Sequence, residues 1–144
     1  MASRLSEVAK IVVLQGHTTA GTSAVTSSSV DTAGYEGVLI VTNLGTAASN
    51  NTMKLQQSSD NGGSDDFSDI AGTSLGVGSS DEILWDEVHR PGKRYLRAYV
   101  SRGTSTTCET IYALLYNPYS VPVTNVTSGT IYGESAGTPD EGTA

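Results

Sequence analysis

The sequence predicts an all-β protein: a single-domain, jelly-roll-like β-sandwich with an extended N-terminal arm and a C-terminal tail. Its 144 residues are enough for one core, and 16 of them are glycine. No segment of a dozen residues keeps the i, i+3, i+4 apolar spacing of an amphipathic helix. Short β-branched runs recur instead between Gly, Asn, Asp and Pro clusters, a pattern typical of sandwiches and jelly rolls.

Each predicted strand has its own signal. Ile11 to Leu14 and Val38 to Val41 are continuous apolar runs, whereas Met53 and Leu55 alternate with polar residues. We predict strands over 10–15, 35–43, 52–58, 82–88, 93–102 and 107–117, with a weaker one over 121–127. We predict connectors over 21–29, 43–45, 60–63, 76–78, 91–92 and 103–105, where turn-forming residues cluster.

The strand over 93–102 carries the most distinctive chemistry. It lies in the segment 88–103, which holds five of the eight Lys and Arg residues of a chain whose net charge is -7. Period two divides it into a core face and an outer face: Leu96, Ala98 and Val100 against Tyr95, Arg97, Tyr99 and Ser101. Tyr and Arg are enriched at interfaces, so the outer face is a candidate docking surface. Alternatively, the arginine stems only cover the sheet.

The charges around this strand suggest a hairpin that turns at Arg90-Pro91-Gly92. Such a hairpin would neutralise part of the basic charge inside the fold, because acidic residues precede the turn and basic residues follow it. The predicted cross-strand pairs set Asp81, Glu82, Asp86 and Glu87 against Lys93, Arg94 and Arg97.

Two strands are apolar on both sides. The runs 38–41 and 111–116 place bulky groups toward the core and also away from it. A loop of the same chain, a neighbouring copy or a larger partner must cover the second side, and we favour self-association.

Composition argues against several classes of protein. The negative net charge disfavours nucleic acid as a partner, and no apolar run is long enough to span a membrane. The N-terminus lacks the apolar region of a signal peptide, so we expect synthesis in a cytoplasm. Cys108 is the only cysteine, which excludes an intrachain disulfide, and its apolar neighbours predict a buried, inert thiol.

No constellation of residues indicates an enzyme, a metal site or a cofactor. His17 and His89 are the only histidines, and neither has metal-ligand spacing. The acidic loop 60–69 offers oxygen ligands for calcium, but it does not match the EF-hand order, and a solvated hairpin loop is the favoured interpretation. We expect the arm to cover 1–9, the sandwich 10–124 and the Gly/Ser/Thr-rich tail 125–144, with both ends held by contacts.

Several segments resemble small virion proteins of tailed bacteriophages. They are 90–104, 109–116 and Pro122-Val123. With the strand end 56–60 and the acidic loop that leads into 67–70, they are similar to capsid decoration, or cement, proteins over residues 35–123. This resemblance implies a β-sandwich or jelly-roll module that binds the outside of an expanded icosahedral head, often as a dimer or trimer, and clamps neighbouring major capsid subunits. It implies no catalytic motif.

The resulting expectation is a structural virion protein on the outer capsid surface. Its partners would be the major capsid protein and further copies of itself, with no nucleic acid and no membrane. Tyr95, Arg97 and Tyr99 would form the docking face, with Arg94 and Arg102 at its rim. The alternatives are a carbohydrate-binding or receptor-binding β module and a head-completion or tail subunit.

Overall fold

The fold is a sandwich of two antiparallel sheets, as the sequence predicts, with a separate two-stranded ribbon. A computed structural model describes residues 4–125, 129–137 and 142. A short helix, α1 (Leu5–Val8), precedes the strands. The strands of the described residues are β1 Ala9–Gln15, β2 Thr18–Gly21, β3 Val25–Thr26, β4 Val30–Asp31, β5 Tyr35–Asn43, β6 Asn51–Ser58, β7 Ser68–Asp69, β8 Leu75–Val77, β9 Ile83–His89, β10 Tyr95–Ser101, β11 Thr106–Cys108 and β12 Ile111–Pro118.

Each sheet has its longest strands at its centre. Sheet 1 has the order β1-β12-β5-β9, so the two-sided apolar strands β5 and β12 occupy its centre. Sheet 2 is built on β10 and β6, which pair over seven residues, with β3 and β4 beside β10 and β7 and β8 beside β6. The ribbon joins β2 and β11. These pairings place the longest apolar strands where both of their edges are hydrogen-bonded.

The core lies between the sheets and follows the alternation of each strand. Leu96, Ala98 and Val100 of β10 are fully buried, as predicted, and they pack in one cluster with Ile40 of β5 and Leu55 of β6. Cys108 is also buried, and burial raises the pKa of its thiol. One apolar face per sheet therefore builds a continuous core, which needs no disulfide.

The short strands are where the sequence-based assignment fails. β3 lies inside the predicted connector 21–29, and β8 overlaps the predicted connector 76–78. The predicted strand 107–117 is divided, because Glu109 and Thr110 separate β11, which pairs with the ribbon, from β12, which enters sheet 1. Residues 121–125 of the weak seventh candidate are not in a strand, and 126–127 lie outside the described residues.

The predicted hairpin between β9 and β10 is wrong. β9 pairs with β5 in sheet 1 and β10 pairs with β6 in sheet 2, so residues 90–94 cross from one sheet to the other. The basic residues find other partners: the Lys93 ammonium lies 2.7 Å from Asp65, and Arg94 binds Asp31. Surface ion pairs contribute at most about 1 kcal/mol each, so local charge complementarity does not determine strand pairing against long ladders and core burial.

The helix α1 and the segment 123–125 meet at the edge of β1. The side-chain oxygen of Asn125 accepts the Ile11 N–H at 2.9 Å, and its amide donates to the carbonyls of Ser6 and Ala9. The Val123 N–H donates to the Glu7 carbonyl at 3.0 Å. The predicted arm and the start of the predicted tail are thus bonded to the sandwich. No helix within the described residues is long and apolar enough to cross a membrane.

Candidate docking surfaces

The outer face of sheet 2 carries the aromatic and cationic side chains that the sequence singled out. β10 presents Tyr95, Arg97 and Tyr99 on this side, and the paired positions of β6 are Ser58, Gln56 and Lys54. We call the surface formed by Lys54, Gln56, Phe67, Tyr95, Arg97 and Tyr99 the Tyr/Arg face. Lys54, Gln56, Tyr95, Arg97 and Tyr99 lie on paired strands, so the sheet fixes their spacing, whereas Phe67 joins them from the loop before β7.

Arg97 lies near the centre of this face and is held from two sides. Its Nε–H donates to the Gln56 side-chain oxygen at 2.9 Å, directly across the ladder. Its guanidinium carbon lies 4.1 Å from the centre of the Phe67 ring. Arg97 forms no salt bridge within the described residues. Its position is therefore determined by neutral partners, which leave its charge uncompensated.

Lys54 is different, because its charge is neutralised in place. Its ammonium lies 2.6 Å from a carboxylate oxygen of Asp69 and 5.2 Å from the centre of the Tyr99 ring, its cross-strand neighbour. The hydrogen bond from Lys54 holds the pKa of Asp69 below its usual range. The Tyr99 ring therefore lies beside the ammonium of Lys54, whose position Asp69 fixes.

Arg94 forms the rim of the face beside Tyr95. Its Nε and Nη2 each bond an oxygen of Asp31 at 2.8 Å, and its guanidinium lies 5.2 Å from the Tyr95 ring. The hydrogen bond from Arg94 lowers the pKa of Asp31, and the same pair raises the pKa of Arg94. The guanidinium of Arg94 is therefore held in a fixed orientation, and Asp31 already neutralises its charge.

Arg102 is not part of the same cluster. Its guanidinium donates to three backbone carbonyls, those of Thr19, Ser23 and Thr106, at 2.6 to 2.8 Å. Its side chain also packs against Gly21, where a β-carbon would lie 3.0 Å from Nη2. The structure thus brings together Arg94, Tyr95, Arg97 and Tyr99, and it gives Arg102 the role of tying the β2–β11 ribbon to the sandwich.

The acidic loop folds on its own backbone. Asp60 accepts the N–H groups of Gly63, Ser64 and Asp65, which lower its pKa. Asp65 binds Lys93 and the Ser59 N–H, and these bonds lower its pKa to about 2. The described residues contain no cluster of three His, Cys, Asp or Glu side chains suited to a metal ion. These carboxylates therefore shape the turns of the loop.

The outer face of sheet 1 is mostly apolar. Across the ladder, one row joins Val13, Tyr112, Val41 and Trp85, and the next row joins Ile11, Leu114, Leu39 and Glu87. Near its β1 edge, residues of α1 and of the segments 123–125 and 131–135 line a groove of about 660 Å³. At the opposite edge, Ile83 is 66% exposed and Trp85 is 59% exposed. Residues of α1 and of the segments 123–125 and 131–135 thus flank the β1 side of this face, while Ile83 and Trp85 on the β9 side remain accessible.

The sequence interpretation treated Asp86 only as a partner of a basic residue and missed its burial. Asp86 lies on the core side of β9, between Leu84 and Val88, and is only 9% exposed. Its Oδ2 is buried without a hydrogen-bond partner among the described residues, and burial raises its pKa to about 6. The alternation of 84, 86 and 88 was the available signal, because period two places this carboxyl with the two apolar side chains.

Comparison with known proteins identifies a fold but no family. No protein-family model and no curated protein matches the sequence. A solved structure with a similar fold is the PBSX exported protein XepA, at a TM-score of 0.51 and 20% identity. The match covers 96% of this chain and 46% of that protein, so this chain spans less than half the length of XepA. This likeness shows that the sandwich architecture is shared.

Proposed function

We propose that this chain is a structural protein of a tailed-phage virion. More specifically, we propose that it binds the outer surface of the icosahedral head and stabilises the shell by bridging subunits of the major capsid protein. The resemblance to cement proteins motivates the assignment, and the fold shared with the PBSX exported protein XepA supports a phage virion role in its general form. The contact residues are those of the Tyr/Arg face.

The observation that carries this proposal is the state of Arg97. Its guanidinium is stacked on Phe67 and bonded to Gln56, yet it has no carboxylate partner among the described residues. A partner that supplies a carboxylate or a carbonyl would find the arginine already oriented and would lose little side-chain entropy on binding. Central arginines flanked by tyrosines are common hot spots of interfaces.

The ion pairs around Arg97 make this surface more specific for a single acidic group on a partner. Lys54 and Arg94 are neutralised by Asp69 and Asp31, so Arg97 is the cation of this surface that an acidic group on the capsid would meet. A shell repeats the same contact many times, and a module that spans two subunits gains avidity from each additional contact. Modest affinity at each Tyr/Arg face is therefore enough for stable attachment.

The direct test is attachment to heads that lack this protein. The double variant Arg97→Glu, Tyr99→Ala should no longer co-sediment with expanded heads, since it reverses the central charge and removes an adjacent ring. Arg4→Glu makes the same charge change at an exposed residue that lies outside the face and outside β9, and it should bind like the wild type. Thermal unfolding must show that all three proteins fold. Attachment of the double variant at the wild-type level refutes the contact assignment.

Stoichiometry separates the shell role from other virion roles. Lysate from the native source, separated on a density gradient, can be analysed by quantitative mass spectrometry for the ratio of this chain to the most abundant particle protein. A near-stoichiometric ratio in the particle fraction supports a cement protein. A few copies per particle favour a head-completion or tail subunit, and recovery only in slow, soluble fractions contradicts the virion assignment.

Carbohydrate binding is the second candidate, and Trp85 is the observation that favours it. It is the only tryptophan, it is 59% exposed, and it lies beside Val41 in a row with Tyr112. Exposed aromatic rings can stack on sugar rings. Iodide quenches exposed tryptophan, so a glycan that occupies this site should protect the fluorescence of Trp85. Unchanged quenching across a panel of host surface glycans would leave no support for this candidate.

A further inference from the structure

The sheet edges of this sandwich are not protected equally. An exposed strand edge presents unpaired N–H and C=O groups, and soluble proteins usually cover, shorten or interrupt such edges. In sheet 2 the outer strands β3, β4, β7 and β8 are only two or three residues long. In sheet 1 the edge of β1 is capped by Asn125 and its register shifts between Val13 and Gln15.

β9 is the exception among the described strands. Its seven residues pair with β5 in an unbroken register from Ile83 to His89, and no described strand lies on its other side. It contains no proline, lysine or bulge, and its outward side chains include the exposed Ile83 and Trp85. A long and regular edge with exposed apolar side chains is a ready site for another strand.

The backbone of β9 is oriented for such pairing. The Arg90 N–H donates to the Glu36 carbonyl, which continues the ladder at the register of β5 and β9. Because hydrogen-bonded and non-bonded pairs alternate in an antiparallel ladder, the even-numbered residues of β9 bond β5. The N–H and C=O groups of Ile83, Trp85 and Glu87 therefore point to the open edge.

We propose that β9 pairs with β9 of a second copy of this chain, antiparallel across a two-fold axis at Asp86, so that the two copies of sheet 1 form one continuous sheet of eight strands. Charge complementarity favours a second copy of this chain as the partner of β9. In this register, acidic Glu82 of one copy meets basic Arg90 of the other, twice, and Leu84 meets Val88. A second copy of β9 therefore supplies every backbone group and side chain that this pairing requires.

Asp86 gives an independent reason for this register. Its buried Oδ2 has no partner among the described residues of one chain. At the two-fold axis the carboxyl would face its own copy, and two adjacent carboxyl groups are stable when they share a proton. The raised pKa of Asp86 is consistent with a carboxyl that keeps its proton at moderately acidic pH. Pairing thus provides the missing hydrogen-bond partner.

Sedimentation velocity over a range of about 1 to 100 µM tests the proposal, since a homodimer must respond to dilution. The wild type should dimerise. Trp85→Lys places a charge at the open edge and should be monomeric, whereas the matched variant Tyr99→Lys, on the outer face of the other sheet, should dimerise as the wild type does. A wild-type monomer at every concentration, a trimer or larger ring, or a dimer that Trp85→Lys leaves intact overturns the proposal.

A second measurement needs no variant. Amide hydrogen exchange at Ile83, Trp85 and Glu87 should be about tenfold or more slower in protein that sediments as a dimer than in protein diluted until it sediments as a monomer, because pairing protects the outward N–H groups. Unchanged exchange overturns the proposal. The opposite role for Asp86, a charge that keeps the edge unpaired, predicts a monomeric wild type whose Asp86→Asn variant associates, and that result also overturns it. None of these outcomes depends on binding to a phage head.

Discussion

Asp86→Asn should stabilise the fold at neutral pH. The carboxyl lies on the core side of β9, is 9% exposed, and leaves Oδ2 without a partner among the described residues. Burial raises its pKa from 3.8 to about 6, so the folded protein binds this proton more tightly than the unfolded chain does. By linkage, the ionised group lowers the free energy of unfolding above pH 6. Asparagine keeps the shape and removes the charge.

The size of the effect follows from the shift. A rise of about two pKa units corresponds to roughly 3 kcal/mol between the two protonation states, and this is an upper limit because the new amide is also buried. We expect Asp86→Asn to raise the free energy of unfolding by about 1–2 kcal/mol at pH 8. At pH 3.5 the wild-type carboxyl is protonated in the folded state and mostly protonated in the unfolded chain, so the two proteins should be nearly equal in stability.

Urea unfolding of dilute, monomeric protein at pH 8 and pH 3.5 measures this difference directly. Glu82→Gln is the control, since Glu82 is exposed and the substitution also removes one carboxylate. Its stability should follow that of the wild type at both pH values. An Asp86→Asn protein that is less stable than the wild type at pH 8, or a gain that is the same at both pH values, would refute the linkage argument.

Two further predictions concern the loops. Gly103→Ala should lower the free energy of unfolding, measured by urea denaturation, by about 2–3 kcal/mol, because a β-carbon there would overlap the carbonyl of Ser49. The control Gly92→Ala, with open space around the β-carbon, should change this free energy little. Equal losses in the two variants would contradict the steric argument. Lys93→Gln should raise the pKa of Asp65 from about 2 toward 3.8 in an NMR titration, since Lys93 is the largest cause of the lowering. The stabilisation from this carboxylate is present above about pH 4 and is lost as pH falls toward 2; an unchanged pKa would show that the loop amides alone hold it.

The sequence predicted the long strands because their signal is local. Leu96, Ala98 and Val100 alternate with polar residues, and this pattern alone places one face of β10 in the core. The partner of β10 was not predictable in the same way. Strand pairing depends on contacts between residues far apart in sequence, and the acidic residues before Pro91 gave a local but weaker signal for a hairpin. Two-residue strands such as β3 contain too few residues for any period to be visible.

The candidate site shows the same limit. Tyr95, Arg97 and Tyr99 share a face because period two requires it, so the Tyr/Arg face could be predicted. The sequence predicted the same rim position for Arg94 and Arg102. In the structure Arg94 binds Asp31 at the rim, whereas Arg102 donates hydrogen bonds to three carbonyls of the ribbon and its flanking loop. What separates them is the position of distant backbone, which no local pattern contains.

The two proposals have a joint geometrical consequence. A two-fold axis that joins two antiparallel edge strands in one sheet runs perpendicular to that sheet, so both copies of sheet 2 lie on the same side. Both Tyr/Arg faces then point in one direction, and a single shell surface can engage them together. Bivalent attachment commonly exceeds the affinity of one site by about 10² to 10⁴, provided that the spacing matches. Trp85→Lys should therefore weaken attachment to heads even though Arg97 and Tyr99 are untouched. Full attachment by this monomeric variant would mean that each copy binds the shell alone.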